Sequence, residues 1–247
     1  MSNAMKKTGV MLGACLIVFA ALGTTPPSAA QAAGLSTPDT QIAAAKKKKK
    51  RHPGRKLYMR NTCVACHGRN GKGAILAYPN LAGQNKKYMI DQIKDIMKGK
   101  RTGSPDETGN PRSEGMRGAL VTAEGVDRIN KEQIAQIVDW LSKMEPAPPP
   151  KPETPVDPAR IAKGKKLYKK FKCRTCHGKD GTKPLKGYPY ISGQKTEYLI
   201  TQMKDIRDKK RTNGKSKTMY VTIKKAKDEQ IALMADYLSS IDRMAKK

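Results

Sequence analysis

Cys63-Val-Ala-Cys66-His67-Gly68 recurs 110 positions on as Cys173-Arg-Thr-Cys176-His177-Gly178, and this doubled motif decides how the chain folds. Between them the two copies take every cysteine but Cys15 and every histidine but His52. Two thiols three positions apart fit one helical turn, where each can form a thioether to a haem vinyl group. The histidine that follows is then held beneath the iron as its proximal ligand. Cys-x-x-Cys-His is accordingly the attachment signature of c-type haem. A thioredoxin-like Cys-x-x-Cys requires a βαβ surround, and none is visible. The two knuckles of a zinc ribbon lie within about 15–20 residues of each other, and neither needs a histidine. Two motifs imply two covalently attached haem c groups, each with its iron.

Sliding the chain against itself by 110 positions aligns much more than the motifs, as expected of an internal repeat. Gly54, Leu57 and Tyr58 fall on Gly164, Leu167 and Tyr168, and Tyr78-Pro79 falls on Tyr188-Pro189. Gly83-Gln84, Tyr88, Gln92 and Arg101 fall on Gly193-Gln194, Tyr198, Gln202 and Arg211. The second half then shortens, so that Met116 answers Met219 and Trp140-Leu141 answers Tyr237-Leu238. A proline-rich stretch over 144–158 separates the halves and reads as an extended, semi-rigid linker.

Apolar spacing predicts helices over 54–62, 84–100 and 131–143, with counterparts over 195–211 and 228–244. No alternating run of useful length suggests a strand. Only two phenylalanines and one tryptophan are present, and hydrophobic residues make up 37% of the chain. That is thin for one large core, but adequate for two small all-α domains that each pack around a large apolar cofactor. The expected domains are 52–143 and 159–247.

The first four residues read as a cloning remnant. From Met5 the pattern is a secretory signal: Lys6 and Lys7, an apolar run from Val10 to Leu22, and a cleavage site near Ala30-Gln-Ala32. The run is shorter than the ~20 residues of a membrane span. Cys15 follows a Leu-Gly-Ala triplet, as in a lipoprotein box, but lies inside the apolar run and is expected to leave with the signal, which is assigned to 1–32. Residues 33–51, ending in Lys46–Lys50, read as a disordered basic leader. The expected location is the periplasm.

A six-coordinate iron needs a ligand opposite its histidine, and soft thioether suits haem iron. Met116 and Met219 lie downstream of the motifs in Gly-, Lys- and Arg-rich sequence that reads as loop. Met89, Met97, Met203 and Met234 stand on predicted helices and read as core fillers. His67 with Met116 and His177 with Met219 are therefore the expected iron ligands. Such a pair fills the coordination sphere and raises the reduction potential, which suits a wire rather than a catalyst.

Cys-x-x-Cys-His-Gly, then Tyr78-Pro-Asn80-Leu81-Ala-Gly-Gln84, a downstream methionine and an aromatic closing helix resemble a class I cytochrome c. Two such domains in tandem resemble the diheme cytochrome c(4) type. The resemblance implies that the carbonyls of Pro79 and Pro189 accept a hydrogen bond from the second ring nitrogen of each histidine. It also implies that first and last helices cross at Gly54 against Trp140 and at Gly164 against Tyr237. The second half has Tyr190-Ile191 where the first has Asn80-Leu81, so the two haem environments, and their potentials, should differ.

The formal net charge is +29. Residues 159–247 hold 25 basic and 8 acidic side chains, net +17. An exported chain does not meet nucleic acid, which leaves acidic redox proteins and anionic membrane as partners. Lys169, Lys170, Lys172, Arg174, Lys179, Lys183 and Lys186 cluster about the second motif and could steer an acidic partner. The Lys46–Lys50 run could touch lipid headgroups. His52 reads as a surface histidine. The expected function is a periplasmic diheme cytochrome that shuttles single electrons between respiratory donors and a terminal oxidase or reductase. The alternatives are a relay subunit of a larger dehydrogenase complex and, less favoured, a diheme peroxidase.

Overall fold

A computed structural model describes residues 51–73, 75 and 77–245; the signal segment, Cys15 and the Lys46–Lys50 leader lie outside them. The first half runs α1 (Pro53–Arg60), α2 (Cys63–His67), α3 (Lys86–Met97), α4 (Glu114–Leu120) and α5 (Lys131–Ser142). The second repeats this order as α6 (Pro158–Lys170), α7 (Arg174–His177), α8 (Thr196–Arg207), α9 (Ser216–Ile223) and α10 (Asp228–Ser239). The described residues carry no strand, only isolated bridges at Pro105–Pro111 and Val121–Asp127.

The helix starts follow local chemistry. Pro53 and Pro158 occupy first-turn positions, where a missing N–H costs nothing, and the side chains of His52 and Asp157 accept from Gly54 N and Ala159 N. His52 also lies 3.2 Å from Asp139. Its place is the start of α1. Asn85 caps α3 by accepting from Tyr88 N at 3.0 Å, and Asn130 and Gln133 form a reciprocal cap on α5.

In each half the first and last helices cross where a glycine removes the side chain. A Cβ at Gly54 would stand 2.0 Å from Gln136 O and 2.9 Å from Trp140 Cβ. One at Gly164 would stand 2.0 Å from Leu233 O and 2.7 Å from Tyr237 Cβ. The expected pairing thus holds in both halves. Beside each crossing two aromatics meet: Tyr58 and Trp140 at 5.1 Å between ring centroids, Tyr168 and Tyr237 at 5.8 Å. Tyr58, Val138 and Leu141 anchor one core; Ile223, Ile231 and Met234 anchor the other.

Residues 145–157 carry no helix or strand. Ala147 is buried among them. Both halves belong to one compact unit, and polar side chains join them with near-twofold symmetry. Gln84 Nε2 donates to Tyr190 O at 2.8 Å and Gln84 Oε1 accepts from Tyr190 N at 2.8 Å. Gln194 does the same to Asn80, at 3.0 and 2.9 Å. The equivalent arginines reach across as well. Arg101 donates to Tyr198 OH and Gln202 Oε1, and Arg211 to Gln92 Oε1 at 2.8 Å and Tyr88 OH at 3.4 Å.

Several expected helices are shorter here. The 84–100 and 195–211 segments are helical only over α3 and α8, with Gln84 at the start of one and Arg211 at the end of the other drawn into cross-domain bonds. The 228–244 segment stops at Ser239. Beyond it Arg243 donates to Gly83 O and stacks on Tyr190.

Candidate functional site

The motif follows directly on the first helix of each half through one residue in left-handed backbone, Thr62 at φ 56° and Lys172 at φ 53°. The single turn after it brings the two cysteines and the histidine to one side. The next residue must be glycine. Gly68 (φ 71°, ψ 165°) and Gly178 (φ 74°, ψ −179°) lie in a region closed to residues with a Cβ. Each glycine carbonyl is then pinned by the core tyrosine of its own first helix: Tyr58 OH donates to Gly68 O and Tyr168 OH to Gly178 O, both at 2.7 Å.

His67 and His177 are buried. Nδ1 of His67 lies 3.2 Å from Pro79 O and Nδ1 of His177 lies 3.0 Å from Pro189 O. A carbonyl only accepts, so the ring proton sits on Nδ1 and Nε2 is left with its lone pair. That is the tautomer a metal ligand needs, with its orientation fixed from outside. Burial holds both rings below the ordinary histidine pKa, against the pull of the proline carbonyls; at His67 the charges of Lys195 and Arg101 add to it. Tyr78 and Tyr188 stand edge-on to the rings at 6.2 and 6.0 Å.

Burial pushes the Cys63 thiol up to about 11 and Cys173 up to about 12, so both are neutral thiols until alkylated. Cys63, Cys66, His67, Pro79 and Met116 all line a cavity of about 1060 Å³, and so do Cys173, Cys176, His177, Pro189 and Met219. Met116 and Met219 occupy short helices, α4 and α9, rather than the expected loops. These helices are one to two turns long, and the Gly118 and Lys217 beside the methionines hide them from apolar periodicity. A haem fits this setting. The wall is largely apolar, and its donor set of paired thiols, a neutral imidazole and a thioether matches covalent attachment and low-spin iron.

The glutamine clasp and the arginine pair were not singled out from the sequence as joining the halves. Their only signal is recurrence: Gln84/Gln194 and Arg101/Arg211 repeat at positions where helix packing has no use for a polar group.

A family model described as Cytochrome c matches residues 52–145 and 161–242. Cytochrome c4 of Azotobacter vinelandii is 30% identical over 189 residues, covering 72% of this chain and 84% of that protein. The thiosulfate dehydrogenase electron acceptor of Thiomonas intermedia is 27% identical, covering 72% and 78%. The solved structure of reduced recombinant cytochrome c4 from Pseudomonas stutzeri superposes with a TM-score of 0.59 at 26% identity, covering 76% of this chain and 96% of that one. Two family matches on two all-α halves, each carrying an attachment motif, place the chain in the cytochrome c family, as a diheme electron-transfer protein of the cytochrome c4 type with covalently bound haem c and not an enzyme.

Proposed function

We propose that this protein is a periplasmic carrier that takes single electrons from a respiratory donor and passes them to a terminal oxidase or reductase. Cys63 and Cys66 hold one haem and Cys173 and Cys176 the other. His67 with Met116, and His177 with Met219, would hold the two irons. The observation that carries the reading is the doubled arrangement of an Nδ1-anchored histidine and a helix-borne methionine on one cavity wall. Bound in this way, haem iron exchanges one electron without an open coordination site. The chain's own part is to keep the histidine basic through Pro79 or Pro189, and to keep the thioether in place through the core at α4 and α9.

Substituting Met219→His should lower one of the two potentials by on the order of 0.1 V, within the ~0.8 V that axial ligands span, while the other stays put. The same outcome is expected for Met116→His on the other haem. A redox titration that shows no change for either variant would remove the methionines from the ligand set.

The partners follow from charge. Lys169, Lys170, Lys172, Arg174, Lys179, Lys183 and Lys186 are all exposed around the second motif. They suit an acidic redox protein, steered in by long-range attraction. Electron-transfer rates with such a partner should fall more than about tenfold between low and physiological ionic strength; a rate indifferent to salt contradicts the steering. Among the described residues no helix is long and apolar enough to cross a membrane. Any membrane contact is assigned to anionic headgroups and the basic leader.

The name of the Thiomonas relative favours a second reading for the donor. A dehydrogenase of an inorganic or small organic substrate would then hand its electrons to this chain, either in free encounter or within a standing complex. Co-purification of the chain with a dehydrogenase at fixed stoichiometry would select the complex.

A further inference from the structure

Lys195 is almost wholly buried, at 5% exposure, yet its side chain leaves its own domain. Its backbone N–H donates to Gln194 Oε1 at the cross-domain clasp. From there the ammonium enters the first domain and donates to the carbonyl of Ile75, a dipole rather than a counter-charge. Gly73 makes the space. A Cβ there would lie 2.8 Å from Lys195 Nζ and 3.5 Å from Pro79 O, so both atoms stand within 3.5 Å of one point. Pro79 O is the acceptor that holds His67.

The second domain has no such arrangement. Asn85, the repeat equivalent of Lys195, is neutral and is spent on capping α3. Gly73 is replaced there by Lys183, whose backbone oxygen lies against Gly178. The repeat is therefore asymmetric here. A second-domain cation is buried beside the proximal side of the first-domain site, and among the described residues nothing equivalent is returned at the matching position.

We propose that Lys195 is a positioning residue that sets the potential of the first haem from the second domain. A buried positive charge opposes the extra positive charge of ferric iron, and in a low-dielectric surround that opposition is strong. The same ammonium draws electron density from the loop that carries the Pro79 carbonyl. This makes the carbonyl a weaker acceptor and His67 a less basic ligand. Both effects favour the reduced state of the first haem. The second domain thereby tunes its neighbour only while the two are docked.

The inference rests on His67 as a ligand of the first haem, and the experiment keeps the two apart. The matured full chain is titrated as Lys195→Gln and as Lys195→Arg, with Met219→His identifying the second-domain haem by its own displaced potential. Glutamine keeps a donor for the loop and loses the charge; arginine keeps both. Lys195→Gln should shift the reduction equilibrium of the first haem about tenfold toward oxidation, ~59 mV for a one-electron couple, leave the second haem alone, and be rescued by arginine. An unmoved first potential, an equal shift of both haems, or an arginine variant that falls as far as glutamine would overturn the role of the charge. If Met116→His, titrated alongside, displaces neither potential, the ligand assignment at the first haem has failed instead.

Discussion

Alanine at Gly164 is expected to lower the thermal unfolding midpoint by about 6–12 °C. The added Cβ would stand 2.0 Å from Leu233 O, a backbone atom inside α10, and 2.7 Å from Tyr237 Cβ. No rotamer change relieves a clash with backbone, so α6 and α10 must separate. Overpacking of this kind costs about 3 kcal/mol, and in a cooperative unit of both domains each kcal/mol is worth about 2–4 °C. The separation also opens the packing of Tyr168, whose hydroxyl fixes the carbonyl of Gly178 behind His177. Circular dichroism on the matured protein reads the effect, and a midpoint within about 2 °C of the parent would show that the helices do not cross as described. Gly54→Ala should act in the same way on the first domain.

The second large effect belongs to the domain interface. Arg211 is 7% exposed and donates to Gln202 Oε1 at 2.6 Å and Gln92 Oε1 at 2.8 Å, with Asn213 Oδ1 and Tyr88 OH further off. Arg211→Met keeps the bulk and strands these acceptors away from water. The loss should be about 2–3 kcal/mol, as when a charged donor is removed and its neutral buried acceptors are left unpaired. The expected readout is a change of form as well as of midpoint: unfolding that is cooperative in the parent should split into two steps as the domains uncouple. Arg101→Met makes a graded control, because Arg101 is only half-buried and reaches two acceptors. Equal losses from both variants, or an unsplit transition in Arg211→Met, would mean that the arginine pair does not join the domains.

Much of this molecule could be read from the chain. Covalent attachment leaves a five-residue signature that no other chemistry requires, and the 110-residue repeat turned one signature into an architecture. The Gly54–Trp140 and Gly164–Tyr237 crossings followed from the family resemblance, and a backbone contact of this closeness tolerates no other first residue. What escaped the sequence was set by contacts between the halves. Gln84 has good helix propensity and extends an apolar period, so the sequence runs α3 from it. Only the opposing domain pulls it out of helix. Lys195 looked like one more cation in a chain with 50 lysines and arginines; nothing local marks it as buried. The helices around Met116 and Met219 are too short to show a period at all.

The most direct measurement is an optical redox titration of the matured wild-type protein, followed in the reduction bands and in the methionine–iron charge-transfer band together. Two low-spin, one-electron haems of positive and unequal potential are expected, each losing a methionine band on reduction. A high-spin or low-potential haem, or one methionine band in place of two, would contradict this, because an iron without Met116 or Met219 has an open or different sixth position and is no longer built only to carry electrons.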